Sequence, residues 1–567
     1  MCPVTHRRRK GGREGALLEK GIGKAGFLEN LYLTGSDPAS FRTLAPRPSD
    51  GKADGIIATY NDLIAAWSPD RLEASGDLPP ELLGELGRIG LFGLNIPEEY
   101  GGAGLSLPGY LKVLENIARK DMALALIPTA HLSIGLKGIL LYGNEEQKST
   151  YLPPAAKGEM IFAYALTEPK TGSDAKHIET RADLAADGSH YILNGHKTYI
   201  TNANYAGGLT VFAQLDPKEP GRMGAFIVET AWDGVKIGAD MAKMGLAISS
   251  TAAISFKDVK VPAGNLLGER GDGFRIAMMV LNYGRMGLGA ASVGVMEQSR
   301  EDMSERAAAR KQFGVPIGDF PLVQEKIVRA SVHAFVGRAM TSVTARLFED
   351  DPTANAALES SHTKLYGSTR AWDTLYDALQ VAGGSGYLAT QPYEKRMRDF
   401  RVTTVFEGTT EIHSVYPALF LLRALGKRAG KGPVSRFYGL LRGLLTRNRW
   451  ALSYDDREMN RAARRAGKYA ARVRKLAHLA LMIHGKRVVK REFLLRRITR
   501  MSVAVFGIIS TLVQVDSLKK KGGDGAAEMR LLRYFLEEVG EEMDGSNRLG
   551  DSPREKIHRQ IVRDLTQ

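Results

Sequence analysis

Only one cysteine, Cys2, occurs in 567 residues. That argues against a disulfide scaffold, a cysteine-rich metal site or thiol catalysis, and no metal site is expected. No run of about 18 apolar residues is present, so no transmembrane helix is expected; the apolar stretch 501–515 is short and reads as a buried helix. The basic N-terminus MCPVTHRRRKGGREGALLEKGIG is not followed by an apolar stretch, so no secretory signal is expected. Acid is missing locally: eight Lys/Arg and no Asp/Glu lie over 423–450. No internal repeat is evident. What is present is ordinary globular material, 44% hydrophobic and 25% charged. The net charge of +15 points to an anionic partner or surface.

The chain is too long for one core, so several domains are expected. Residues 1–50 read as a polar N-terminal extension, loose at its start. Helical periodicity dominates 51–159, punctuated by the turn IPEEYGGAG at 96–104. Over 160–272 short β-type runs follow one another: MIFAYAL, HYILNG, GLTVFAQL, GAFIVET and AAISFKDVKVP. Asp187-Gly188 and Asn194-Gly195 are turn signals among them. Long helical patterns with short loops return over 273–425 and suggest a bundle. A basic linker over 426–451 precedes a last helical segment over 452–567. The fold class is therefore α+β, mostly α: an N-terminal helical domain, a middle β-domain, a C-terminal four-helix bundle and an extra helical domain.

Six runs carry candidate chemistry. FEGTTEI at 406–412 sets Glu407 beside Gly408, between the β-rich residues 402–405 and an apolar helix. A carboxylate next to a residue without Cβ can be presented to a ligand as a base; a solvated surface glutamate is the plain alternative. TEPKTGSD at 167–174 is a hydroxyl-rich loop after a strand, able to hydrogen-bond a ring carbonyl or phosphate, or to be an ordinary turn. In GHKTYITNAN, Tyr199 and Thr201 share a strand face and could cover a flat heterocycle. In LNYGRMGLGAASVG, Arg285 lies in an apolar helix and needs a partner: phosphate, carboxylate, adenine edge or an internal ion pair. ARKQFGVPIGDFPLVQEK supplies Arg310, Gln312, Phe313 and Gln324; LQVAGGSGYL supplies Gln380 and the Gly383-Gly384 turn, weak as a phosphate cradle on its own.

In this order and at this spacing, these runs with MGLAISSTAAISFKDVKVP resemble the acyl-CoA dehydrogenase family, flavoenzymes that desaturate acyl-CoA thioesters. The resemblance spans about 60–425. It is similar most narrowly to the very-long-chain branch, whose extra helical domain the tail matches in size and place. The resemblance implies FAD as cofactor, with Tyr164, Leu166, Thr167, Gly172 and Ser173 along the flavin ring and Tyr199, Ile200 and Thr201 on its other face and edge. Most relatives have Trp at the Tyr199 position. It implies that Arg310, Gln312, Phe313 and Gln324, with Gln380, Val381, Gly383 and Gly384, hold the FAD of a neighbouring subunit in a homodimer, and that Thr409 and Glu411 touch FAD again. Asn282, Arg285, Ser173 and Gly408 would bind acyl-CoA. Glu407 matches the catalytic base; the other position the family uses is Gly284 here, which cannot accept a proton. His413 departs from the family pattern. Gly135 and Gly138 match glycines that widen the acyl tunnel in long-chain members, with close helix packing as the alternative.

The resemblance further implies an electron-transfer flavoprotein as acceptor. The linker over 427–450 mixes cations with Phe437, Tyr438, Leu441, Leu444, Leu445 and Trp450, which suits peripheral contact with an anionic membrane. The expected location is cytoplasmic and peripheral on the inner membrane in a bacterium, or on the mitochondrial inner membrane in a eukaryote. No nucleic-acid-binding motif accompanies the charge, so nucleic acid is not expected as partner. An acyl-CoA oxidase, or an assembly protein built on a dehydrogenase core, are the competing readings.

Overall fold

The computed structural model describes residues 26–35, 40–41, 43–49, 51–67, 69–216, 222–430, 432–445, 450 and 452–543; Cys2 and most of the N-terminal extension lie outside them. Helical segments precede and follow a seven-stranded sheet in the chain. The sheet uses β1 (Ile161–Ala165), β2 (Arg181–Leu184), β3 (His190–Thr201), β4 (Ala206–Gln214), β5 (Met223–Glu229), β6 (Val235–Ile237) and β7 (Thr251–Pro262) in the order β1-β4-β2-β3-β7-β6, with β5 paired to the other edge of β4. The β1–β4 pairing is parallel and β3–β7 antiparallel. Buried Val, Ile, Phe and Ala from these strands form one core.

Asn194-Gly195 is not a turn, as its dipeptide suggested. β3 runs straight through it and shifts register against β7 there. Gly195 has φ 153°, and a Cβ on it would lie 2.4 Å from Thr180 Oγ1. Asn194 and Asp258 exchange hydrogen bonds across the irregularity. The glycine thus serves close approach inside a bulged strand, a role indistinguishable from a turn at dipeptide level.

The helices that position the site are α1 (Gly273–Ala309), α2 (Pro321–Asp350), α3 (Ala357–Ala382) and α4 (Thr410–Arg428). Three more follow, α5 (Arg457–His484), α6 (Glu492–Lys520) and α7 (Ala526–Met543). These last helices share one core with α2, α3 and α4 rather than standing apart. The helix Phe27–Thr34, within the N-terminal extension, joins that core: Phe27, Leu28, Leu31 and Tyr32 are buried, and Leu28 N–H donates to Glu359 Oε1 at 2.7 Å. Its apolar residues at i, i+1, i+4 and i+5 form the stripe that a docked helix requires.

Two stretches, Met122–Tyr142 and Glu492–Lys520, are long and apolar enough to cross a membrane by composition; both are mostly buried within the protein. That burial is the ordinary fate of a core helix and agrees with the reading of 501–515.

Candidate active site

The Glu407 turn joins a 3₁₀ turn, Val402–Thr404, to α4. The β-branched residues before Glu407 therefore do not form a strand: they finish the helix Pro392–Arg401, whose context overrides their propensity. Thr409 ends the turn as the N-cap of α4, its Oγ1 accepting Ile412 N–H at 3.3 Å. Between them Glu407 and Gly408 both take positive φ, 56° and 93°. A non-glycine residue there is strained by about 1–2 kcal/mol and persists only if neighbours hold it.

They do. Glu407 C=O accepts from His413 Nε2 at 2.8 Å and from Arg285 Nε at 3.4 Å. Gly408 C=O accepts from Lys364 Nζ at 2.5 Å. A Cβ at Gly408 would lie 2.6 Å from His413 Nε2, so glycine is required for space as well as for φ. The Glu407 carboxylate lies over Gly284 of α1: a Cβ there would sit 3.0 Å from Glu407 Oε2 and 2.8 Å from Ile134 Cγ2. Glu407 Oε2 is sealed from solvent and has no hydrogen-bond partner among the described residues. Burial without a donor disfavours the anion and pushes the Glu407 pKa up to about 7, against the pull of Arg285 and Lys364.

Arg285 and Asn282, expected at the CoA moiety, are buried and bonded inward. Arg285 Nη1 donates to Asn282 Oδ1 at 3.0 Å, which also accepts from Ser360 Oγ at 2.9 Å, and the guanidinium lies 6.0 Å from the centre of the Tyr416 ring. Arg285 therefore finds its partners in the Asn282 side chain and the Glu407 backbone. Lys364 is buried too, and burial lowers its pKa to about 7.

On the sheet side, Thr167–Asp174 is held from behind. Lys197 of β3 and Glu168 form a buried ion pair at 2.8 Å, Lys197 also donates to Leu166 C=O at 3.1 Å, and Glu168 accepts the N–H groups of Glu179 and Thr180. Thr198 N–H donates to Thr167 C=O at 2.9 Å. The loop is thereby fixed with Leu166 buried, Thr167 half-buried and Gly172 and Ser173 exposed. Tyr164 donates its hydroxyl to Ala277 C=O at 3.2 Å. Tyr199 has φ 56° where β3 shifts register, and its side chain is 68% exposed, whereas Ile200 is buried and Thr201 half-buried. The irregularity breaks the alternation, so the expectation that Tyr199 and Thr201 share a strand face does not follow.

A second group of expected residues lies far along the helices. Arg310 is 26 residues from Gly284 on α1, roughly 39 Å of helix. Arg310, Gln312, Phe313, Gln324, Gln380, Gly383 and Gly384 are exposed and Val381 is buried. Arg306 ties the two parts of this group together, donating to Ala382 C=O at 3.3 Å and Ser385 Oγ at 3.1 Å. One chain therefore does not bring these residues to the Glu407 turn. Glu411, one helical turn past the base, is exposed.

Gly135 and Gly138 face protein, not open space. A Cβ at Gly135 would lie 2.7 Å from Phe162 C=O of β1, and one at Gly138 would lie 3.2 Å from Leu267 Cδ1. Both permit close packing of the 130–142 segment on its neighbours, which was the alternative to a tunnel. Sequence reasoning missed the Glu168–Lys197 pair, Lys364, Ser361 and the fit of Gly284 under the carboxylate.

Comparisons with known proteins agree with one another. The N-terminal, middle and C-terminal domains of acyl-CoA dehydrogenase match residues 61–159, 163–259 and 271–415. The very long-chain specific acyl-CoA dehydrogenase, mitochondrial, of Bos taurus is 33% identical over 84% of this chain and 75% of its own length. The crystal structure of an acyl-CoA dehydrogenase complexed with FAD from Bacillus anthracis superposes with TM-score 0.80 at 30% identity, covering 96% of each chain. Butyryl-CoA dehydrogenase from Megasphaera elsdenii gives TM-score 0.63 at 32% identity over 66% of this chain and 100% of its own.

Proposed function

The chain belongs to the acyl-CoA dehydrogenase family of FAD-dependent oxidoreductases, and we propose that it dehydrogenates long or very-long-chain acyl-CoA to trans-2-enoyl-CoA in fatty-acid β-oxidation, with Glu407 as the base. The observation that carries the assignment is the sealed, unpartnered Oε2 of Glu407 on a turn pinned by three donors. The residues present fit a flavin dinucleotide. The Thr167–Asp174 lip is fixed from behind by a buried ion pair, the Tyr199 ring projects outward, and space is open above Gly172, Gly383 and Gly384. Thr167, Ser173, Tyr199 and Thr201 would hold the flavin end. FAD, when bound, accepts the β-hydrogen as hydride.

The α-proton of a thioester is far less acidic than a carboxylic acid of pKa ~4.3, so both sides of the transfer need help. Burial makes Glu407 a stronger base by disfavouring its anion before the reaction. The N–H of Glu407 makes no hydrogen bond among the described residues and is available to a substrate carbonyl, where it would stabilise the developing enolate. Gly284 leaves the carboxylate room to swing toward the α-carbon.

Long-chain preference is supported by the relatives, not by Gly135 and Gly138. An electron-transfer flavoprotein is the proposed acceptor. A homodimer would bring the exposed 310–324 and 380–384 group of one copy to the flavin of the other, which the roughly 39 Å along α1 denies within one chain. Peripheral contact with an anionic membrane is supported by helix Pro433–Leu445, which exposes Val434, Phe437, Tyr438 and Leu445. Beside it α5 lines a cavity of about 490 Å³ with Arg457, Arg461, Arg464, Arg465, Lys468 and Arg472; Lys431, Arg447 and Arg449 of the linker lie outside the described residues. The chain would then sit on the inner membrane, cytoplasmic or mitochondrial.

The test is dye-coupled turnover of the purified yellow protein on straight-chain acyl-CoAs from butyryl to eicosanoyl, with Glu407→Gln in parallel. The variant keeps its FAD and loses roughly 10²- to 10⁴-fold in turnover, and the wild type works best on the longer chains. Substantial activity in Glu407→Gln overturns the assignment of the base; an optimum at butyryl-CoA overturns the chain length.

A further inference from the structure

His413 is a buried titratable side chain that neither meets substrate nor moves a proton in the chemistry above, yet both its ring nitrogens are committed. Nε2 faces Glu407 C=O at 2.8 Å and Nδ1 faces Ser361 Oγ at 2.6 Å. A carbonyl only accepts, so Nε2 carries the proton and Nδ1 accepts from the Ser361 hydroxyl. The ring is neutral: burial and the nearby Arg285 and Lys364 charges hold its pKa well below the usual histidine range. Its place is also sterically fixed, because Gly408 alone leaves room for it.

On the reading that Glu407 is the base, we infer that His413, oriented by Ser361, is a positioning residue that fixes the Glu407–Gly408 peptide so that the carboxylate stands over Gly284. Lys364 completes the clamp from α3 through Gly408 C=O at 2.5 Å. The two donors come from different helices and grip successive carbonyls, so rotation of either peptide breaks a hydrogen bond. The energetic logic is local. A glutamate at φ 56° returns to an ordinary conformation unless held, and a carboxylate displaced by ~1 Å from its reacting atom forfeits on the order of 10²-fold in rate. Placing the donor one turn into α4 makes the same short segment carry both the base and its support.

The groups facing Glu407 and His413 are Arg285 on α1, Lys364 and His362 on α3, and Tyr164 on β1, with exposed Glu411 acting on Lys364. None of them is altered in His413→Leu, so a shifted pH profile in that variant reports the position of Glu407 rather than a lost charge. With the turn released, Glu407 reaches water and its pKa falls.

The experiment compares His413→Leu, His413→Gln and Ser361→Ala with wild type and Glu407→Gln as flavoproteins of measured FAD content. His413→Leu keeps its FAD absorbance and its KM within about threefold, loses roughly 10- to 100-fold in kcat, and moves the acid limb of kcat/KM to lower pH. His413→Gln, which retains a side-chain N–H donor, recovers most of kcat and the wild-type limb. Ser361→Ala, which frees the tautomer, falls between, and it decides on the same readouts if His413→Leu does not fold. Wild-type kcat and limb in His413→Leu, or a loss that His413→Gln does not restore, overturns the inference. If Glu407→Gln is dead while His413→Leu is normal, only this inference fails; if Glu407→Gln is active, the proposed base fails instead.

Discussion

Two turns in this protein use the same backbone device and put it to opposite uses. At Glu407–Gly408 and at Phe313–Gly314 a bulky residue with positive φ is followed by a glycine with positive φ: 56° and 93° in one, 52° and 85° in the other. Phe313 and Gly314 close a two-residue hairpin between Lys311–Gln312 and Val315–Pro316, where left-handed pairs match strand twist. Among the described residues its ring makes an edge contact with Phe320 and is 95% exposed. The Glu407–Gly408 turn, by contrast, is gripped by donors from three helices, and Oε2 of the Glu407 carboxylate is sealed. The strain at Glu407 is held by the protein's own interior and aims a group inward. The strain at Phe313 is held by a local ladder and presents a group outward, to whatever covers it.

The comparison breaks most visibly at Gly284. Alanine in place of glycine within a helix ordinarily stabilises by about 1 kcal/mol. Here its methyl would meet Ile134 and the Glu407 carboxylate at 2.8 and 3.0 Å. Gly284→Ala therefore loses roughly 10²-fold in turnover with FAD retained, measured by dye-coupled assay and absorbance. A variant that melts higher and turns over normally would mean the carboxylate does not rest on that glycine.

The outward turn behaves differently. Phe313→Ser removes a ring that packs on almost nothing in its own chain, so thermal stability of the isolated subunit changes by no more than about 0.5 kcal/mol. Under the dimer reading, self-association weakens and FAD is lost on dilution about tenfold sooner, by the usual worth of a buried aromatic anchor. Light scattering and flavin fluorescence during dilution measure both. An unchanged dimer with an unchanged flavin would leave the exposed ring without a partner.

The same contrast explains what the sequence made legible. FEGTTEI could be read because its chemistry is local: a carboxylate, a glycine and a helix cap within six residues. The clamp on that turn could not, because Arg285, Lys364 and Ser361 come from helices distant in sequence and their pairing is created by packing. Glu168 and Lys197 are 29 residues apart and were hidden for the same reason. Asn194-Gly195 misled because a glycine that admits Thr180 looks the same as one that turns a chain. Residues 402–405 misled because β-branched side chains also end a helix. The helix–sheet–helix order, by contrast, was carried by hydrophobic periods over many residues, and packing rarely overturns these.

The smallest effect is a pH slope, and it tests the inward turn without any assay of turnover. The folded pKa of Glu407 is raised from the ordinary carboxylate value to about 7, and that of Lys364 is lowered from the ordinary amine value to about 7. For Glu407 the folded state keeps a proton that the unfolded chain has lost, so between about pH 4.5 and 7 this group makes stability fall as pH rises. For Lys364 the unfolded chain keeps the proton, so between about pH 7 and 10.5 this group makes stability rise with pH. Glu407→Gln should remove the first slope and, by taking away the carboxylate that holds the Lys364 pKa up, extend the second toward lower pH; Lys364→Met should remove the second and extend the first toward higher pH, in midpoint temperatures measured across the range. Equal shifts at every pH in both variants would place these side chains in solvent and dissolve the difference between the two turns.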